Sequence, residues 1–164
     1  MLVNNRLRLA HDEKQANIKK AESEEYRSRM AGKLDEAQAL YAAANTAFMQ
    51  AQTTYIQDKN NREAMLAFED AALKRASAAA YLAQANATSN ADARAQALHE
   101  YEAQIKQQLL DMGATEHEIL KVQQHISQLW NTPLWESAEK LGMPWYEALN
   151  AKVRDFIHNN IRLS

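Results

Sequence analysis

The chain has 164 residues and a formal charge of −2, with 31 alanines, three glycines, two prolines and no cysteine. That length suits one helical domain, or a helical body with a small terminal subdomain. The missing thiols exclude disulfides, thiolate metal sites and cysteine nucleophiles, and the near-balanced charge gives no general pull toward nucleic acid or an acidic target.

Charge is mildly uneven along the chain. Residues 1–33 carry eight Lys/Arg against five Asp/Glu, residues 34–103 five against nine, and residues 104–164 six against seven. The N-terminal excess reads as a solvated face. No apolar run of signal-peptide length follows Met1, and none approaches the roughly eighteen apolar residues of a membrane span. A cytoplasmic chain with no membrane span is therefore expected.

The first helix begins near Arg8 to Asp12 and carries Ile18, Ala21, Tyr26 and Met30. Gly32 interrupts it, at about 1 kcal/mol relative to alanine in a helix interior. Met30 and Leu34 nevertheless keep a spacing of four, so the pattern predicts one helix to about Asp58, bent or broken at the glycine. From Leu34 an unbroken ladder follows: Leu34, Ala37, Tyr41, Ala44, Phe48, Ala51 and Tyr55 recur at alternating intervals of three and four. That is the spacing of a buried seam between paired helices.

Asp58-Lys59-Asn60-Asn61 is the first turn, where Asn60 with Glu63 three residues on forms a capping-box-like start. The second helix carries Met65, Phe68, Ala72, Ala76, Ala79 and Ala83, and ends in the polar turn Asn86 to Asn90. A third helix shows Leu98, Tyr101, Ile105, Leu109 and Met112 and stops at Gly113. Thr115 to Glu118 is a capping box opening a fourth helix with Ile119, Val122, Ile126 and Leu129 on one face. Thr132-Pro133 starts a short fifth helix that Gly142 ends, and Pro144 opens a sixth with Trp145, Leu149, Val153 and Phe156 at helical spacing. No segment alternates with period two, so the fold class is all-α.

Composition changes near residue 113. Before it lie most of the alanines; after it lie all three tryptophans and both prolines. The expected architecture is an elongated antiparallel helical hairpin or three-helix coiled-coil body over residues 1–112, with a small three-helix cap over residues 113–164. Tyr41, Phe48, Tyr55, Phe68 and Tyr101 are the expected seam. Trp130, Trp135, Trp145 and Tyr146 form either a small aromatic core or, as candidate partner-binding residues, a docking surface.

Two segments are alike at an offset of 33: Phe48, Ala64, Phe68 and Glu69 fall opposite Tyr81, Ala97, Tyr101 and Glu102. The motif Ala64-x3-Phe68-x2-Ala71 resembles the second helix of a tetratricopeptide repeat, over about residues 32–104. No proline closes a repeat and the usual Trp-Leu-Gly pattern is missing. The resemblance implies a superhelix holding a peptide in a concave groove, with helix breaks near Asn45-Thr46 and Lys74-Arg75.

Chemistry is sparse. Asp155-x2-His158 is the one pair close to a metal-ligand spacing, His117 and His125 are out of helical register, and His99 falls at a solvent edge. Ser89, Ser127 and Ser137 lack a nucleophile elbow, and the isolated glycines form no phosphate loop. Glu24-Glu25 and Glu69-Asp70 read as exposed faces. Lys19-Lys20 is interspersed with acids, and the final helix lacks the cationic face an anionic membrane surface would attract. The expectation is a non-enzymatic helical interaction or assembly protein with no metal or cofactor. Its partner would be a protein, including a second copy of itself, and a secretion, phage or toxin-associated module would fit. The alternative is a tetratricopeptide-like peptide-binding adaptor or chaperone.

Overall fold

A computed structural model describes the backbone of residues 2–161 and the side chains of residues 12–161 apart from Thr132. It contains seven helices and no strand among the described residues: α1 (Leu2–Met30), α2 (Lys33–Gln57), α3 (Arg62–Asn86), α4 (Asn90–Asp111), α5 (Glu116–Leu129), α6 (Thr132–Leu141) and α7 (Met143–Asn160). The chain is all-α, and no described helix is long and apolar enough to cross a membrane.

Local chemistry sets the boundaries. Gly32, at φ 84, breaks the expected first helix into α1 and α2, and α1 begins earlier than its pattern suggests. Asn61, rather than Asn60, caps α3 by accepting from the Ala64 amide. Ser89 caps α4 through the Asp92 amide. At the end of α4, Gly113 adopts φ 89; its amide donates to Leu110 and the Ala114 amide to Leu109, the paired bonds of a left-handed helix stop. The Thr115–Glu118 capping box is formed in both directions. Gly142, at φ 64, joins α6 to α7, and a Cβ there would meet the Tyr81 ring at 3.2 Å.

α3 is the centre of the molecule. α2 and α4 pack along it on two sides and α7 on a third. Of its 25 residues only Arg62, Glu63, Ala67, Lys74 and Asn86 are exposed. Alanine makes this possible: Ala76 and Ala80 on α3, Ala37 on α2, and Ala93 and Ala97 on α4 are fully enclosed, and so small a side chain lets three neighbours approach one helix. Pairings of Phe48 with Arg75 and of Tyr55 with Phe68 show that α2 runs antiparallel to α3. The ladder from Leu34 to Tyr55 is the buried or half-buried face of α2. Arg75 lies 3.4 Å above the Phe48 ring, where burial lowers its pKa and Tyr41 and Asp111 oppose that shift.

The helix breaks implied by the repeat resemblance are absent. Asn45-Thr46 lies inside continuous α2 and Lys74-Arg75 inside continuous α3. Phe68 and Phe48 instead meet each other in one seam, with ring centroids 5.3 Å apart. The compositional change near residue 113 coincides with the α4–α5 turn, but one apolar cluster extends across it from Tyr26 to Ile161.

α7 docks on α3 through a polar zipper. Tyr146, Asn150, Arg154 and His158 follow one another at intervals of four, so they share one edge of α7. The Tyr146 hydroxyl donates to Gln84 Oε1 (3.0 Å), the Asn150 amide to Ser77 Oγ (3.1 Å) and the Arg154 guanidinium to Asp70 (3.1 Å). His158 Nε2 lies 2.8 Å from Glu69 Oε2. The partners descend α3 as the zipper ascends α7, so the two helices are antiparallel.

Candidate functional site

The four aromatic residues named as candidates for partner contact are buried in the core, the first of the two arrangements their composition allows. Trp130 and Tyr146 are fully enclosed, and Trp135 and Trp145 are 2% and 8% exposed. Trp130 stands at the centre, edge-on to Trp145 at 5.1 Å, stacked with Trp135 at 6.1 Å and 5.5 Å from Tyr101. Trp135 donates its indole N–H to Asn90 (2.7 Å). The large apolar area of these rings is buried where α4, α5, α6 and α7 meet, and it seals the bundle end. Only an edge of Trp145 reaches a shallow cleft of about 240 Å³ with Leu134 and Leu141.

The same core holds its phenols protonated. Burial raises the pKa of Tyr101 and Tyr146 well above the ordinary tyrosine value, with neighbouring tyrosines adding to the rise at Tyr146. Tyr26 is raised by burial and by Glu139, partly offset by Arg29. Its hydroxyl donates to the Gln84 carbonyl at 2.6 Å, and this bond, with the Arg29–Glu139 ion pair and buried Met30, fastens the last turn of α1 to the body.

A concave feature lies over α3, between α2 and α7. α3 supplies the floor with Asp70, Lys74, Ser77 and Ala78; α2 forms one wall with Leu40 and Ala44, and α7 the other with Met143, Glu147, Asn150 and Ala151. The groove encloses about 610 Å³. It continues past Ala44, Asp70 and Lys74 into a hollow of about 340 Å³ edged by Ala47, Ala67 and Ala71. Two of the few exposed residues of α3, Ala67 and Lys74, are therefore groove floor.

Its charges are arranged in two ways. Asp70 and Arg154 neutralise each other within the zipper. The side chains of Lys74 from the floor and Glu147 from the α7 wall have no hydrogen-bond or ion-pair partner among the described residues. An unpaired cation and an unpaired anion in one concavity suit an occupant bearing both signs. The zipper stiffens the wall between them, because Asn150 links Ser77 to the Tyr101 hydroxyl, which donates to it at 2.8 Å.

A second, much smaller slot of about 20 Å³ lies between α3, α4 and α7, with Ile105, Leu109, Met112 and Ile157 as apolar walls. It borders Glu69, His158 and Gln108, whose Oε1 is buried without a protein partner. A space of that size suits one water molecule. No group of three His, Asp or Glu side chains among the described residues converges as a metal site would require. His99 is exposed, and His125 stacks on Phe156 with centroids 4.2 Å apart.

The groove residues were not singled out from sequence. The available signal was faint: Lys74 is the first charge after Glu69-Asp70 in a helix otherwise dominated by alanine. Recognising it as groove floor required knowing that α3 has neighbours on three sides. No protein-family model, curated protein or solved structure matches this chain significantly, so its functional reading rests on its own geometry.

Proposed function

We propose that this chain is a non-enzymatic interaction or assembly protein, with the groove over α3 as the surface that receives a helical protein segment. The observation carrying this reading is the 610 Å³ concavity holding unpaired Lys74 and Glu147. Its volume lies within the range of binding sites rather than of packing defects. Ala44, Ala67 and Ala78 leave room for a helix to approach closely. One cation balanced by one anion suits a protein partner and not a phosphate backbone, which calls for a run of cations.

The test is a photo-crosslinking residue placed in the full chain at exposed Ala67, with exposed Glu116 as a control on α5. The expected result is a discrete protein adduct from Ala67 that weakens with Lys74→Glu and is not produced from Glu116. No Ala67 adduct, or equal adducts from both positions, overturns the groove reading.

A further inference from the structure

Among the described residues, α1 is the one long helix whose packing is confined to its last turns. Over its described side chains every residue from Asp12 to Glu25 is exposed except half-buried Ser23, and burial begins only at Tyr26. A polar helix standing alone in water is marginally stable, since packing supplies most helical stability in proteins. Its residues do not cover the chain's own groove, whose lining includes none of them. Its last turn is fixed at the C-terminal end of α3 by the Tyr26–Gln84 bond, and no break interrupts the helix before Met30.

We propose that the groove over α3 receives α1 of a second copy of this chain, so that two protomers exchange their projecting helices reciprocally. This rests on the groove being a docking surface. The lengths agree: residues 12–25 of α1 span about 21 Å, and the floor from Ala67 to Ala78 about 17 Å, at 1.5 Å per residue. The signs agree as well. Lys14, Ile18, Ala21 and Glu25 share one face of α1, with a cation at one end, an anion at the other and 43% exposed Ile18 between them. Laid antiparallel to α3, that face brings Lys14 toward Glu147 and Glu25 toward Lys74, and it covers Ile18. Each protomer gives one helix and receives one, so the assembly closes as a two-fold dimer.

The absence of cysteine permits a clean test. The full chain is measured by light scattering after size exclusion, and Ala21→Cys is combined with Ala44→Cys for disulfide trapping. The expected result is a mass twice the 18.6 kDa of the chain. A covalent dimer should form from the double variant and from neither single one. Lys74→Glu should weaken dimerisation about three- to five-fold, and Glu25→Lys in the same chain should restore it. A monomer overturns the proposal, as does a dimer that neither traps through Ala21→Cys/Ala44→Cys nor responds to Lys74→Glu. A monomer whose Ala67 probe still captures another protein leaves the groove reading standing; a monomer with no adduct removes both.

Discussion

Asn150 lies where three helices are joined by hydrogen bonds, and its removal should be felt well beyond its own contacts. It accepts from the Tyr101 hydroxyl at 2.8 Å and donates to Ser77 at 3.1 Å. Tyr101 is fully enclosed and Ser77 is 1% exposed. Ser77 keeps a second partner, since its hydroxyl also donates to the Lys74 carbonyl. Among the described residues the Tyr101 hydroxyl has no other hydrogen-bond partner, so Asn150→Ala strands a phenolic hydroxyl inside the core. A lost bond of about 1 kcal/mol and an orphaned buried donor of about 1–2 kcal/mol give a destabilisation of roughly 2–3 kcal/mol.

Tyr101→Phe alone should cost about 1 kcal/mol, because half-buried Asn150 can turn its freed oxygen to solvent. With both changes present there is no orphan, and the double variant should lose only about 1–2 kcal/mol. The two effects should thus fall short of additivity by nearly 2 kcal/mol. Urea unfolding followed by tryptophan fluorescence and circular dichroism, at matched slopes, gives the four free energies. Additivity within about 0.5 kcal/mol would mean that the two side chains do not interact, and the linkage of α3, α4 and α7 would then be wrong.

Trp130→Ala should cost about 3–5 kcal/mol as a core truncation, whereas Leu141→Ala, at 60% exposure, should stay within about 0.5 kcal/mol; equal effects in urea would return the tryptophans to the surface. Gly142→Ala combines a positive φ with a 3.2 Å approach to Tyr81, so its thermal midpoint should fall further than that of Gly32→Ala, which meets only open space. Alkaline pH should unfold the protein. Below about pH 10 folded and unfolded chains both hold their phenolic protons and the contribution of the buried tyrosines is intact. Above it the unfolded chain ionises first, so stability falls by up to about 1.4 kcal/mol per pH unit each for Tyr101 and Tyr146. Phenolate absorbance from these two should rise only as helical signal disappears, and their titration in a fully helical protein would refute their burial.

Much of the fold was readable because local chemistry and periodicity agreed. The Leu34–Tyr55 ladder is the inner face of α2, and the Thr115–Glu118 and Gly113 signals terminate helices where their backbone preferences require. What failed depended on information that a sequence window lacks. Asn60 and Asn61 offer equal capping chemistry, and only the path of the turn selects Asn61. The likeness of Phe48 to Tyr81 at 33 residues arises from repeated small and aromatic positions in long Ala-rich helices, not from helix pairs. Tryptophan is common at interfaces and in cores for one reason, its large apolar area. Trp130 went inward because three short helices converge around it. Lys74 and Glu147 are far apart in the chain, and nothing short of the α3–α7 register could bring them to one groove.

That register is where alanine makes its demand. Seams built of Ala76, Ala80 and Ala97 are nearly featureless, and a helix could slide along them by a turn with little change in buried apolar area. The zipper supplies the missing distinction. A one-turn slip of α7 would separate Tyr146 from buried Gln84 and Asn150 from buried Ser77, and each stranded polar group costs about 1–3 kcal/mol. The half-exposed Asp70–Arg154 pair adds up to about 1 kcal/mol to the same alignment. Fixing α7 also fixes the wall from which Glu147 faces the floor at Lys74, so the bonds that choose the fold choose the width and charge spacing of the groove. The groove is thereby coupled to the whole zipper: Ser77 and Asn150 line it directly, whereas buried Gln84 and Tyr146 lie outside its lining and act only through the register.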